Sequence, residues 1–254
     1  MLHLMSRRRA QAARAVTLVL GSALLVACGA TPVALPPSGI DGLTIPTPSP
    51  MPDDFVARVD NPWFPLQPGT RWTYDRFTPV GSQTVTATVL AAPHPVAGVD
   101  TTAVRWDLRN PGRRPSTLAV RWYAQDTAGN VWWFGQRVAP AGPHVDLLAT
   151  RSWQAGYDGA EAGLLVSAVP RVGDGYANGY QPHVVESRST VASVDATVAL
   201  PTRTYPGTLA TRDLSPLTPT RQVESFYARG IGLVSQQTTQ VLSSDLSLVR
   251  VRRP

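Results

Sequence analysis

Between Leu118 and Phe134 the sequence runs Leu-Ala-Val-Arg-Trp-Tyr-Ala-Gln-Asp-Thr-Ala-Gly-Asn-Val-Trp-Trp-Phe, and no other stretch restricts the fold as much. Two runs rich in aromatic and β-branched residues flank Asp126-Thr127-Ala128-Gly129. Asp favours the start of a type I turn and Gly at its fourth position accepts a positive φ, so the segment predicts a hairpin with a bulge. On its first strand Leu118, Val120, Trp122 and Ala124 share one face, and Arg121, Tyr123 and Gln125 share the other. Large aromatics on both faces belong to a strand inside a sheet, not at its edge. Asp126, Gly129 and Asn130 read as turn residues: Asp starts the turn, Gly takes the left-handed position and Asn bonds the backbone.

The remainder of the chain follows the same grammar. Strands are expected at 70–77, 83–90, 101–109, 118–125 and 131–138, punctuated by Pro79-Val80-Gly81, Gly98-Val99-Asp100 and Asn110-Pro111-Gly112. Thr84, Thr86 and Thr88 alternate with Val85, Ala87 and Val89, as in a strand with one wet face. Ahead of them, Asn61-Pro62-Trp63-Phe64-Pro65-Leu66 reads as an ordered loop whose prolines bar helix. Residues 144–153 read as a strand, 156–163 as a Gly-rich loop and 160–168 as a weakly marked short helix. No stretch beyond residue 28 carries a sustained 3.6-residue apolar period.

Past residue 170 the pattern restarts. Pro68-Gly69-Thr70-Arg71-Trp72-Thr73-Tyr74 is echoed by Val172-Gly173-Asp174-Gly175-Tyr176, and Thr102-Ala103-Val104-Arg105-Trp106-Asp107-Leu108 by Leu209-Ala210-Thr211-Arg212-Asp213-Leu214. Val120-Arg121-Trp122-Tyr123-Ala124 is echoed by the stretch ending Phe226-Tyr227-Ala228. These echoes predict two pseudo-repeats of about five strands, 66–138 and 170–251, within one β domain over 55–254. The expected fold class is all-β: antiparallel meanders of nine to eleven strands forming an open or flattened β-barrel or half-barrel.

The N-terminus supplies an address. Arg7, Arg8, Arg9 and Arg14 precede an apolar run from Ala15 to Ala27, the pattern of a signal peptide over 1–27. The run ends in Leu25-Val26-Ala27-Cys28, which looks like a bacterial lipobox, with the only cysteine of the chain as the residue to be lipidated. A diacylglyceryl Cys28 would hold the protein to the outer leaflet of the cell membrane, since each buried methylene contributes about 0.8 kcal/mol. Residues 28–54 carry seven prolines and are expected to act as an extended tether to the domain. Removing residues 1–27 takes away four arginines and no acid, so the net charge falls from +6 to +2. That balance gives no basic stripe for nucleic acid, and no disulfide is available to the mature chain.

Several of these segments together resemble a family of uncharacterised bacterial secreted lipoproteins. The resemblance rests on Tyr123-Ala124-Gln125-Asp126, Gly129-Asn130-Val131-Trp132, Asn61-Pro62-Trp63-Phe64-Pro65-Leu66, Ser152-Trp153-Gln154-Ala155-Gly156 and Tyr227-Ala228 with Gly230-Ile231-Gly232-Leu233-Val234. It implies a secreted β-rich domain and no established activity. The family pattern has Glu where this chain has Gln136 and Gln154, so acid chemistry or metal binding is not expected there.

Chemistry has few candidates in the residues themselves. No catalytic residue, metal site or cofactor is expected: there is no nucleophile elbow, no His-Glu-x-x-His and no phosphate loop. His94, His144 and His183 each adjoin a proline and read as loop residues. The aromatics offer more, with Trp106, Trp122, Tyr123, Trp132 and Trp133 as candidate ligand-lining residues. Adjacent Trp132 and Trp133 must face opposite sides of one strand: one belongs to the core, and the other meets solvent, packs under a loop or lines a cavity. The expected function is a membrane-anchored, non-enzymatic binding module for a small apolar or envelope-derived ligand. The alternatives are an interaction lipoprotein with a filled core, or an envelope hydrolase using acids such as Asp107, Asp126 or Asp158.

Overall fold

Val85, Ala87 and Val89 are buried while Thr84, Thr86 and Thr88 are half-exposed, so the alternation in the sequence becomes a strand with one covered face. The computed structural model describes residues 51–254 except 79–80, 111, 113, 115, 140–150 and 239–244. Among the described residues it contains fifteen strands and no α-helix. In chain order they are β1 (Phe55–Val56), β2 (Arg71–Thr78), β3 (Gly81–Val89), β4 (His94–Val96), β5 (Val99–Arg109), β6 (Ser116–Asp126), β7 (Val131–Val138) and β8 (Trp153–Gln154). There follow β9 (Gly163–Val166), β10 (Gly175–Gln181), β11 (Val185–Ala199), β12 (Thr204–Leu214), β13 (Gln222–Ala228), β14 (Gly232–Thr238) and β15 (Asp245–Arg252).

All belong to one antiparallel sheet with the path β10-β11-β12-β13-β14-β15-β2-β3-β5-β6-β7-β8. β9 pairs with β7, and a bridge from Glu161 to Tyr180 on β10 brings the two ends of the path together. The sheet is thereby a nearly closed barrel. Its path holds twelve strands rather than the nine to eleven expected, with β1, β4 and β9 beside it. Residues 160–168 are not helical. Gly163 lies so near the Asn178 backbone that a Cβ there would come within 2.2 Å of it, and only an extended strand passes so close. The strand expected at 144–153 falls largely outside the described residues, as do Cys28 and His144.

The pairings occur twice. β2-β3-β5-β6-β7 and β10-β11-β12-β13-β14 are both up-and-down meanders, and several of their rungs correspond, although β10–β11, β11–β12 and β5–β6 carry bulges that the other meander lacks. The Gly69 N–H donates to Val89 O and the Val89 N–H to Thr70 O, each at 3.0 Å. Gly173 N–H to Val191 O and Val191 N–H to Asp174 O repeat this at 2.9 Å. Ala87 lies between Trp72 and Trp106 as Ser189 lies between Tyr176 and Asp213. Both final hairpins shift register at one place, between Trp122 and Tyr123 and between Phe226 and Tyr227. The equivalences that follow are Trp106 with Asp213, Arg121 with Ser225, Tyr123 with Tyr227, Trp133 with Leu233 and Gln136 with Gln236.

One loop ties the two meanders together. Asn61 anchors it to the tip of the β6–β7 hairpin, where its N–H donates to Gln125 Oε1 at 2.7 Å and its Nδ2 to Gly129 O at 2.8 Å. The next residue reaches the β13–β14 tip, where the Gly230 N–H donates to Pro62 O at 2.6 Å. Arg229 covers the Trp63 ring at 4.0 Å. Phe64 then enters the barrel and meets the equivalent tyrosines edge-on, Tyr123 at 5.1 Å and Tyr227 at 6.1 Å between centroids. The aromatic residues of this loop are its anchor because nothing else in residues 55–70 offers comparable apolar area.

Candidate functional site

Phe64 also floors a cavity of about 200 Å³. Its walls come from both meanders, and its rim includes Glu186 and the turn that carries Leu217, Thr218 and Arg221. On β6 the Arg121 guanidinium lies between the indoles of Trp106, at 5.5 Å, and Trp133, at 5.3 Å from the ring centroids. Trp153 of β8 packs edge-on against Trp133 at 5.0 Å. Burial pushes the Tyr123 phenol pKa up, and the charge and hydrogen bond of Arg121 oppose that rise. Tyr227 is raised well above its ordinary value, first by burial and then by Asp213 and the neighbouring phenols.

Across the cavity stands Asp213, half-buried on β12. The Ser189 hydroxyl donates to its Oδ1, and Asn178 Nδ2 donates to Ser189 Oγ at 3.2 Å. Loss of solvent pushes the Asp213 pKa up to about 6, against the lowering effects of the Ser189 hydrogen bond and the Arg121 charge. Four lining residues, each more than nine-tenths buried, hold a polar atom without a hydrogen-bond partner among the described residues: Trp106 Nε1, Trp153 Nε1, Gln136 Oε1 and Asn178 Oδ1. Buried polar atoms are ordinarily paired, and these four are exceptions.

Of the five aromatics singled out in the sequence, Trp106, Tyr123 and Trp133 line this cavity. Trp122 and Trp132 do not, because the pleat turns them to the other face. Trp122 stacks on His94 at 4.8 Å, and Trp132 Nε1 donates to Asp126 Oδ2 at 2.8 Å. Asp126, Gly129 and Asn130 form a closed turn: Asp126 Oδ1 accepts from Asn130 N–H at 2.8 Å, Gly129 has φ 88°, and Asn130 Oδ1 accepts from Ala168 N–H at 2.9 Å. His94 lies in β4, not in a loop, since a short flanking strand tolerates its neighbour Pro95. His183 is in a turn at φ 59°. Among the described residues no three His, Cys, Asp or Glu are grouped to hold a metal ion.

The acids considered for hydrolysis are not in the cavity lining. Asp107 is bonded to Arg105 and Thr117 at 2.9 Å each, Asp126 belongs to its turn, and Asp158 sits exposed at φ 49°. The acids that do line it are Glu186 and Asp213. Sequence reading also missed Arg121, Gln136, Trp153 and Asn178 as cavity residues. A signal for one of the residues missed was present: in the echo of 120–124 by 223–228, Arg121 falls opposite Ser225, whereas Asp213 becomes the counterpart of Trp106 only through the strand registers.

No protein-family model and no curated protein matches this chain. Among solved structures it is similar to a protein from Bacteroides fragilis described as exported and of YMCC-like fold, at 13% identity and TM-score 0.36, with 75% of this chain and 99% of that one covered. It is similar also to a protein from Parabacteroides distasonis described as a lipoprotein, at 10% identity and TM-score 0.37, with coverages of 75% and 98%.

Proposed function

We propose that this protein is a non-enzymatic binding module, held outside the cell membrane by a lipidated Cys28, with its site in the barrel cavity. The observation that carries the reading is a single cavity whose lining joins the aromatics Phe64, Trp106, Tyr123, Trp133 and Trp153 to the charged residues Arg121 and Asp213. A filled structural core would be expected to leave no such space. At about 200 Å³ the cavity has the volume of roughly seven waters of liquid, which suits one small molecule rather than a long lipid chain. The address is supported by Arg7, Arg8 and Arg9, the apolar run and Leu25-Val26-Ala27-Cys28, with residues 29–54 as the tether.

Native mass spectrometry of the full chain from its own membranes tests both parts. A diacylglyceryl mass on the N-terminal peptide and a second, dissociable small-molecule mass on the intact protein are the expected results. The polypeptide with its acyl groups and nothing else, over repeated preparations, overturns tight binding.

A further inference from the structure

On the outer face of the barrel, Arg71 of β2 and Arg252 of β15 are direct cross-strand partners, and both are exposed. Like charges held opposite one another in this way repel and weaken a sheet. The neighbouring pair, Trp72 and Val251, turns inward to the core. Arg250, opposite Thr73, is exposed on the same two strands, and the bulge beside it brings out Val249 as well, 41% exposed. Where β15 ends, Arg253 donates to Gly230 O at 2.5 Å, and on the same hairpin Arg229 lies over the Trp63 ring. Five arginines thus gather where β2, β15 and the β13–β14 tip meet. None of them forms an ion pair among the described residues, where the paired arginines are Arg105 with Asp107 and Arg212 with Glu224. Asp75 lies on the same face of β2, beyond the rung of Thr73 and Arg250, and Asp60 is turned to the other hairpin, bonded to Gln125 Nε2 at 2.8 Å.

We propose that this basic flank lies against an anionic lipid surface, with Val249 at the boundary. An anionic surface would turn the opposition of Arg71 and Arg252 from a cost into an attraction. The inference rests on the lipid anchor at Cys28 proposed above, to which the flank adds a second, electrostatic signal. Residues 29–54, extended at about 3.1 Å each, span roughly 80 Å, so the tether lets the flank reach the surface from which it springs. The cavity rim, with Glu186, Leu217 and Arg221, lies at the other end of the barrel, so the contact leaves it open.

The test uses the full acylated chain carrying one introduced cysteine, since Cys28 is the only natural one and would bear the lipid. A fluorescent donor is placed by Gln67→Cys, beside the flank, or by Ser82→Cys, at the other end of the barrel; both positions are exposed. Energy transfer to acceptor lipid is compared in vesicles of phosphatidylcholine alone and of a mixture rich in phosphatidylglycerol. The expected result is that anionic lipid raises transfer from position 67 about twofold or more and from position 82 much less. Salt at about 1 M, where the Debye length is about 3 Å, should cancel the rise. Arg71→Gln with Arg252→Gln should abolish it without lowering the melting temperature, whereas Arg109→Gln with Arg188→Gln, at the other end, should leave it intact. Equal transfer on both lipids, an equal rise at both positions, or a rise that survives Arg71→Gln with Arg252→Gln overturns the contact. Salt-sensitive binding of soluble polyphosphate with no lipid effect assigns the flank to a soluble polyanion and overturns it too. Failure of the chain to float with phosphatidylcholine vesicles removes the lipid anchor instead. Salt-reversible flotation with the anionic vesicles would then still support the flank, and its absence would sink both ideas.

Discussion

The two meanders share a strand order and the register of their first rungs and final hairpins, and differ in what they put inside the barrel. Positions that shape backbone are alike: Gly69 and Gly173 both take positive φ, at 85° and 90°, and Tyr123 and Tyr227 both follow a bulge. Positions that face the cavity agree at Gln136 and Gln236 but part at Trp106 and Asp213, and at Arg121 and Ser225. The repeat therefore builds the container, and the departures from it supply the chemistry. Their hairpin tips differ too. The β6–β7 ladder runs on by one rung to Gln125 and Val131, and that end receives β1 and Asn61, whereas the shorter β13–β14 tip receives Pro62 and Arg253.

The largest test removes what the meanders share. Phe64→Ala empties the space between Tyr123 and Tyr227 and should cost about 3–5 kcal/mol. At roughly 2–4 °C per kcal/mol for a chain of this size, the melting temperature should fall by about 10 °C. A fall of only a degree or two would mean that the halves hold together without this ring, and that the loop is an accessory.

A swap at one equivalent pair is sharper. Gly135 has φ 134°, and a Cβ on it would lie 2.4 Å from Trp153 O because β8 crosses there. Its counterpart Ser235 is buried and also faces a neighbouring strand, pairing with Ser247 of β15, yet it carries a side chain there. Gly135→Ser should cost about 2–3 kcal/mol in denaturant unfolding, while Ser235→Gly should cost about 1 kcal/mol through lost chain restriction. Equal costs would show that the crossing of β8 does not distinguish the meanders.

How far the sequence revealed all this depends on the kind of signal. Strands from 70 to 138 were legible because turns and two-residue alternation are local, and the repeat was legible because its glycines and tyrosines recur at matching intervals. β1, β8 and β9 are two to four residues long and exist only through their partners, which no local pattern encodes. The cavity was half legible. Trp106, Tyr123 and Trp133 stood out as large aromatics, but the bulge after Trp122 decides which faces look inward, and a bulge cannot be placed by counting alternate residues. Asp213 was invisible for a further reason: an acid among Arg212, Leu214 and Ser215 reads as a surface residue until β11 and the opposite wall enclose it.

The smallest test concerns that acid. In the folded chain Asp213 has a pKa of about 6, above its ordinary 3.8, so the folded state holds the proton more tightly than the unfolded one. Its contribution to stability is complete below pH 3.8 and is lost as pH rises through 6. Around it stand Ser189, Arg121, Tyr176 and Tyr227, with Glu186 and Arg221 at the rim; the tyrosines stay neutral in this range because their own values are raised. Asp213→Asn keeps an acceptor for Ser189 but never bears the charge. At pH 7.5 it should gain about 1 kcal/mol, seen as ~2–4 °C in melting temperature, and at pH 4 the gain should vanish. A gain that ignores pH would come from the hydrogen bonds of the new amide, since Asn has nearly the volume of Asp, and would leave charge out of the difference between the meanders. A gain that disappears in acid locates it in charge, with the second meander giving up stability at neutral pH to keep a carboxylate facing the cavity.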